Sequence, residues 1–402
     1  CSGFYGCGAR VATKHTRFLR SVETENGFGL SEVFIGAKSV LCPLGDTPSS
    51  VYEAMLNGET GLQSVENPRG VKTTSHIGII PDNLIAEEHM DSTRLENMLS
   101  LCYERSVSKL RFDEFQDKNG LVIICTTKGN IDKISADDDP RLPLTRLSKF
   151  MQQSFDLGNE PMIISNACIS GVLGIITAAR LIRAKKYDHV MVLGADIVSE
   201  FTLSGFLALH ALTDGACQPY DKNRKGINLG EAASGLVLSN DETIFKGTFD
   251  HYISGASAND ANHISGPSRT GEGLYRSIEK TLSKADVKSE QIGYLSAHGT
   301  GTVFNDEMES IAFKRSNLSG TLVNSLKGYL GHTLGAAGVI EVLFGLEAMK
   351  RNQLIPSFGY QEPGVSEPMN IIQDAISPTS NYFLKTASGF GGCNAAVLFK
   401  VG

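Results

Sequence analysis

Cys168 stands in the segment SNACISG, between the apolar run at 162–165 and a stretch with helical periodicity. A side chain at a strand-to-helix turn is presented sharply, with backbone N–H groups around it. The positive end of the helix favours a thiolate, so we expect a lowered pKa and a nucleophilic sulfur. The same amides can bind a developing oxyanion. Taken alone, Cys168 fits equally well a small apolar residue that fills space at a strand end.

His298 lies in SAHGTGT, directly after a short strand-like run. Gly299 and Gly301 let the backbone approach a ligand closely, and the hydroxyls of Thr300 and Thr302 can hydrogen-bond to it. Such a loop suits an extended polar ligand arm. The plain alternative is a histidine that caps a turn.

His332 lies in NSLKGYLGHTLGAAGVIE, five residues after Lys327, and we expect a helix to begin at about Thr333. A histidine at a helix N-terminus is biased toward the neutral imidazole, which can donate an N–H hydrogen bond. The small residues 335–338 predict tight packing in the interior. For Lys327 the ordinary alternative is a solvated side chain, because a buried lysine beside a histidine needs partners.

Three further residues complete the set with possible chemistry. Asp306 and Glu309 are three apart on the helix expected after the His298 loop, where they can be a simple N-terminal charge pair. Phe390 stands among three glycines in SGFGGCN, so its N–H and ring can approach a bound acyl group. A turn without function is the alternative.

The pattern of elements predicts an α/β protein with a mostly parallel sheet. Buried strands are expected at 121–127, 162–165 and 190–195, with a helical stretch between the last two, and a similar sequence of elements follows in the second half. We therefore predict two related α/β halves, 32–245 and 246–402, that share one core. Residues 1–31 lack this periodicity and form an N-terminal extension without an assignable role.

Composition excludes several classes of protein. A formal charge of −7 without a Lys/Arg block argues against a nucleic-acid partner, and no apolar run approaches the roughly 20 residues that cross a bilayer. We expect a cytoplasmic protein with no membrane partner. The eight cysteines include no CxxC pair, which argues against a disulfide scaffold and a structural metal site.

Taken together, the motifs resemble those of the β-ketoacyl-acyl carrier protein synthases, in their elongating Cys-His-His branch. The resemblance runs from about residue 33 to the end and rests on these segments: NACISG, AHGTGT, NSLKGYLGHTLGAAG, GFGGCN, PYDKNRKGINLGEAAS and SANDANHISGP. It implies a thiolase-like fold, in which two related α/β halves form a five-layered αβαβα core. It also implies a homodimer and no cofactor.

The resemblance implies a mechanism as well. Cys168 would accept an acyl chain from an acyl carrier protein, and the N–H groups of Cys168 and Phe390 would form the oxyanion hole. His298 and His332 would bind the malonyl thioester carbonyl and stabilise the enolate left by decarboxylation. Attack of this carbanion on the acyl-Cys168 thioester would give a β-ketoacyl product.

The same resemblance assigns supporting roles. Lys327 would order the site and pair with Glu341, and Thr300 and Thr302 would contact the pantetheine arm. Phe390 would also gate the acyl pocket.

Asp306 and Glu309 match supporting acidic positions with a structural role.

Two departures from the family pattern concern the acyl pocket: Ser388 replaces a frequent Phe, and Cys393 replaces a usual Thr. The stretch before the nucleophile is also short. A specialised acyl or polyene pathway and housekeeping fatty-acid synthesis therefore both remain open.

Four other functions are weighed against condensation. An initiating synthase would carry Asn in place of His332, and a thiolase would carry a second cysteine before the last glycines, which Cys393 follows. A partner subunit of a ketosynthase heterodimer would lack the nucleophile. A thioester hydrolase needs only a Cys, a His and an oxyanion hole, so two histidines and Lys327 exceed its requirements.

Overall fold

The computed structural model describes residues 31–85, 92–134, 139–260 and 266–402. The predicted extension therefore lies outside the described residues, apart from Ser31. The strands are β1 (Val33–Leu41), β2 (Gln63–Glu66), β3 (Thr74–Gly78), β4 (Gly120–Cys125), β5 (Met162–Ile164), β6 (His189–Asp196), β7 (Leu229–Gly230), β8 (Ala232–Ser239), β9 (Asp250–Asn259), β10 (Ile292–Ser296), β11 (Leu322–Asn324), β12 (Asn370–Ile371), β13 (Tyr382–Gly389) and β14 (Cys393–Lys400).

The helices are α1 (Pro48–Leu56), α2 (Arg94–Val107), α3 (Thr145–Phe155), α4 (Ser170–Arg183), α5 (Glu200–Ala208), α6 (Glu272–Ala285), α7 (Val303–Arg315), α8 (Lys327–Leu330) and α9 (Ala337–Lys350). In the part of the chain that the structure describes, none of these helices has the length and apolar content that a membrane span requires.

The large sheet repeats one topology. The first half runs β5-β4-β6-β8-β1, and the second runs β11-β10-β13-β14-β9, with β12 added at its edge. In each half the three strands at the outer edge are parallel, and the next two pairings are antiparallel. The halves meet where Val33, Phe34 and Ile35 pair antiparallel with β9. The predicted boundary at 245 falls between β8 and β9 and stays a prediction.

Helices cover both half-sheets on both sides. α4 and α9 pack between the half-sheets, α2 and α3 cover the outer face of the first, and α6 and α7 cover the outer face of the second. The result is the expected αβαβα arrangement of layers. The buried apolar residues lie between these layers, as the continuous apolar runs of the strands in the sequence predict.

Small residues let α4 and α9 approach each other closely. A Cβ added to Gly338 would lie 2.4 Å from the backbone nitrogen of Val172, and one added to Gly171 would lie 2.8 Å from that of Val339. Only glycine fits at these two positions without a backbone shift. This contact brings the first turns of both central helices together, and with them the loops that carry Cys168 and His332.

Candidate active site

Cys168 lies on a sharp turn between β5 and α4. Ala167 has a φ of 45°, an unusual conformation for a residue with a side chain, which costs on the order of 1 kcal/mol or more. Ser170 stabilises the turn, because its hydroxyl accepts a hydrogen bond from Asn166 N at 2.8 Å and donates one to Ala167 O at 2.7 Å. The sulfur is thus presented two residues before the helix begins.

Burial changes the expected ionisation of Cys168. The side chain is buried, and loss of hydration raises the pKa of its thiol to about 12, with Lys327 and Lys128 acting in the opposite direction. The expected lowering of this pKa is wrong, because burial, the largest cause, disfavours the thiolate. Cys168 therefore rests as a thiol.

The His298 loop is held by a carboxylate beneath it. Glu309 accepts hydrogen bonds from the backbone nitrogens of His298 at 2.8 Å and Gly299 at 2.7 Å, and from the Tyr220 hydroxyl at 3.0 Å. Burial, and then the charge of Asp306, raise the pKa of Glu309 to about 7. The sequence reasoning missed Tyr220, although it lies in the segment PYDKNRKGINLGEAAS that carries part of the resemblance.

Asp306 supports the next turn of the same loop. It accepts hydrogen bonds from the backbone nitrogens of Thr300 at 3.0 Å, Gly301 at 3.2 Å and Tyr220 at 2.7 Å. The hydroxyls of Thr300 and Thr302 lie 2.8 Å apart. Asp306 and Glu309 thus both accept hydrogen bonds from backbone N–H groups of the loop, which fits a structural role for both.

His332 is fixed by contacts from the first half of the chain. Its backbone nitrogen donates to Asn228 O at 2.7 Å, and its carbonyl accepts from Gly230 N at 3.1 Å. The helix expected from about Thr333 begins later: a 3-10 turn at Leu334–Ala336 precedes α9. This turn is what directs the Leu334 N–H toward His332 Nδ1, at 3.2 Å.

Lys327 is fully buried, so the alternative of a solvated side chain does not hold. Its ammonium lies 2.7 Å from Glu341 Oε1, donates to His298 O at 2.6 Å and lies 3.4 Å from His298 Nδ1. A second buried lysine, Lys385 of β13, contacts the other oxygen of Glu341 at 2.6 Å. We did not predict Lys385, although a lysine in the apolar strand YFLKTASG was a visible signal.

The three predicted reactive side chains meet in one place. The Cys168 sulfur and one ring nitrogen from each of His298 and His332 all lie within 4.8 Å of one another, and all three residues are buried. The imidazole centroids are 5.2 Å apart with the rings at 84°. A cavity of about 370 Å³ opens onto them, and Thr300 and Thr302 also line it.

Hydrogen bonds define which nitrogen of each imidazole carries the proton. A backbone N–H and an ammonium can only donate, so Leu334 N and Lys327 Nζ make both Nδ1 atoms acceptors. Each neutral ring then carries its proton on Nε2. Burial, and then Lys327, lower both pKa values well below the usual histidine value. Both imidazoles are neutral N–H donors.

This proton placement also bears on metal binding. Cys168, His298 and His332 are close enough to share an ion. A metal would need the lone pair of His332 Nε2, and the proton would then have to move to Nδ1, against the Leu334 N–H. The hydrogen bonds therefore favour donors over metal ligands, and the expectation of no metal stays a prediction.

Phe390 lies on a 3-10 turn at the cavity wall, 39% exposed, with its ring 5.6 Å from that of Phe206. The preceding Gly389 packs on the nucleophile: an added Cβ would lie 3.1 Å from Cys168 N and 2.9 Å from Cys393 Sγ. The two proposed oxyanion donors thus lie on adjoining turns. Ser388, another cavity residue, donates to the Asn394 side chain at 2.8 Å.

Comparison with known proteins identifies the family. The sequence matches the family models "Beta-ketoacyl synthase, N-terminal domain" over residues 147–243 and "Beta-ketoacyl synthase, C-terminal domain" over residues 252–361. The chain therefore belongs to the β-ketoacyl synthase family.

Relatives agree with this assignment. The chain is 26% identical to 3-oxoacyl-[acyl-carrier-protein] synthase 2 of Vibrio cholerae, over 92% of this chain and 98% of the relative. It is 32% identical to the polyketide biosynthesis malonyl-ACP decarboxylase PksF of Bacillus subtilis, over 59% and 60%. Among solved structures, a beta-ketoacyl synthase from Burkholderia phymatum has a TM-score of 0.84 at 21% identity, covering 92% of this chain and 100% of that one.

The resting thiol leads to a prediction about alkylation. Because the pKa of Cys168 is raised, the thiolate fraction is small at neutral pH and grows roughly tenfold per pH unit. We expect the rate of iodoacetamide modification of the peptide containing Cys168, followed by mass spectrometry, to rise continuously from pH 7 to 9. A plateau that begins near pH 7 would show instead a thiolate stabilised in the resting protein.

Proposed function

We propose that this protein catalyses a decarboxylative Claisen condensation between an acyl group held on Cys168 and a malonyl unit carried by an acyl carrier protein. The observation that carries the proposal is the pair of buried, neutral Nε2–H donors of His298 and His332, next to one sulfur nucleophile. The names of the bacterial 3-oxoacyl-[acyl-carrier-protein] synthases agree with this reaction.

Acyl transfer comes first. The Cys168 sulfur attacks the thioester carbonyl, a new C–S bond forms, the bond to the carrier thiol breaks, and the thiol proton ends on the departing carrier. The backbone N–H groups of Cys168 and Phe390 stabilise the tetrahedral oxyanion. Because Cys168 rests protonated, deprotonation accompanies the arrival of the acyl thioester.

Decarboxylation follows on a second thioester. The two Nε2–H groups donate to the malonyl carbonyl oxygen, the bond to the carboxylate breaks, and its electron pair forms the enolate as CO₂ leaves. Neutral donors are suited to this step, since they stabilise a charge that exists only in the transition state and the enolate. The enolate carbon then attacks the acyl carbonyl, the C–S bond to Cys168 breaks, and the departing thiolate takes up a proton from solvent to return to the thiol.

Lys327, Glu341, Asp306 and Glu309 hold this machinery in place in the proposal. Thr300 and Thr302 line the cavity that the pantetheine arm would occupy, and Phe390 would gate it. These roles are proposed from the positions of the residues around the cavity.

The hydrogen bonds disfavour the hydrolase alternative. A thioester hydrolase needs an imidazole nitrogen with a free lone pair to activate the water that cleaves the acyl-Cys168 thioester. Here the Nδ1 atoms of His298 and His332 already accept hydrogen bonds, and their Nε2 atoms carry protons. A non-catalytic partner subunit is disfavoured by the presence of Cys168.

Homodimer formation is also part of the proposal. Among the described residues, β5 is the edge strand of the large sheet and pairs only with β4, and Met162 on it is 38% exposed. An unpaired edge strand is suited to antiparallel pairing with its symmetry mate. Analytical ultracentrifugation should give twice the mass of the chain, and a monomer at micromolar concentration would contradict this. A cytoplasmic location stays an expectation.

The proposed carrier is acidic, so its docking depends on local basic groups around the cavity. Lys225 is exposed and lines the cavity, and the exposed Lys222 lies close to it in sequence. Carrier affinity should fall as ionic strength rises, because salt screens exposed charges. Affinity that is equal at low and high salt would contradict docking on these lysines.

Substitution of the nucleophile tests the division of the reaction into steps. Cys168→Ala should abolish acyl labelling, whereas Cys168→Gln should abolish condensation and retain malonyl decarboxylation. The amide can imitate the acyl thioester carbonyl while both histidines stay in place. Acyl labelling is read by mass spectrometry, and decarboxylation by release of labelled CO₂. Persistent labelling of folded Cys168→Ala would remove Cys168 from the mechanism.

A further inference from the structure

Lys385 is fully buried in β13 and points at the end of the neighbouring strand β10. Its ammonium donates to Ala297 O at 2.9 Å and Ser296 O at 3.3 Å, and it lies 2.6 Å from Glu341 Oε2. It does not line the cavity. Lys385 can therefore act only through the residues that present the reactive groups.

The two buried lysines share one backbone segment. Lys327 donates to His298 O, and Lys385 donates to the carbonyls of the two preceding residues, so three successive carbonyl oxygens are held by ammonium groups. Glu341 joins the two lysines, with one oxygen on each. The segment from which His298 projects is thus fixed by a Lys327–Glu341–Lys385 cluster.

This cluster places two lysine charges and one shared carboxylate, that of Glu341, near the imidazoles. Glu341 from α9 compensates one of the two lysines, and Glu309 from α7 is the other carboxylate that acts on Lys385. Burial, the largest cause, lowers both pKa values, and Lys327 and Lys385 act in the same direction on each imidazole. His332 also lowers the pKa of His298, and Lys128 that of His332.

We propose that Lys385 is a second positioning lysine: it fixes the end of β10 that presents His298 and, together with Lys327, keeps both imidazoles as neutral N–H donors. The benefit for decarboxylation rests on the proposed function. An imidazolium would pair with the malonyl carboxylate and stabilise the reactant rather than the transition state. The effect on imidazole protonation does not depend on any substrate.

The test compares Lys385→Met and Lys385→Gln with the intact protein. Methionine removes the charge and the donor, whereas the amide of glutamine removes the charge and can still donate to Ala297 O. In protein labelled with ¹³C-histidine, we expect NMR titration to show His298 or His332 protonating at higher pH in both variants. The acid limb of malonyl decarboxylation should move to higher pH with it.

Lys38→Met is the matched control. Lys38 is another buried lysine, 3.0 Å from Glu347 and 3.4 Å from Asp250, and it does not line the cavity. Its loss should lower stability without moving the histidine titration. The proposal is overturned if folded Lys385→Met or Lys385→Gln titrates as the intact protein does, or if Lys38→Met shifts the titration equally. Shifted titration without any decarboxylation would retain the role of Lys385 and refute the proposed function instead.

Discussion

The site depends on one constraint: each imidazole already accepts a hydrogen bond on Nδ1 from a group that can only donate. For His332 this group is the Leu334 N–H, and for His298 it is the ammonium of Lys327. The remaining N–H of each ring is on Nε2, and one ring nitrogen of each histidine lies within 4.8 Å of the Cys168 sulfur. This arrangement favours a pair of fixed donors over a general base at either position. Such donors stabilise negative charge that appears late in a reaction.

The rest of the fold serves to hold these donors in place. The backbone contact between α4 and α9 at Gly171 and Gly338 joins the nucleophile turn to the His332 segment. Asp196, at the end of β6, strengthens this junction, because it accepts a hydrogen bond from Gly335 N at 2.6 Å. Burying the charged side chains of Lys327, Lys385 and Glu341 away from water costs free energy. This cost is tolerated because each of them has a charged partner.

Local features could be predicted from the sequence. The apolar run, the turn and the helical stretch around Cys168 are adjacent in the chain, so the strand–turn–helix arrangement could be recognised without tertiary information. The small residues after His332 likewise predicted close helix packing. The convergence of His298 and His332 on Cys168 followed from family resemblance, since nothing local fixes a contact over so many residues.

The wrong pKa direction for Cys168 and the two missed residues, Lys385 and Tyr220, have one cause: contacts with parts of the chain that are distant in sequence. The pKa of Cys168 was argued from a helix N-terminus alone, and the core that surrounds the sulfur reverses its direction. Lys385 was visible as a lysine in an apolar strand, but its pairing with Glu341 on α9 could not be predicted from strand β13 alone. Tyr220 was missed for the same reason, since Glu309 reaches it from another part of the chain.

The most direct test of the central claim is the stoichiometry of a single turnover. Protein acylated on Cys168 is mixed with labelled malonyl-carrier, and CO₂, the carrier-bound product and free acid are quantified together. The account predicts equal amounts of CO₂ and β-ketoacyl carrier, with Cys168 returned to the free thiol. Free acid without a β-keto product, or CO₂ released while the acyl group stays on Cys168, would contradict it.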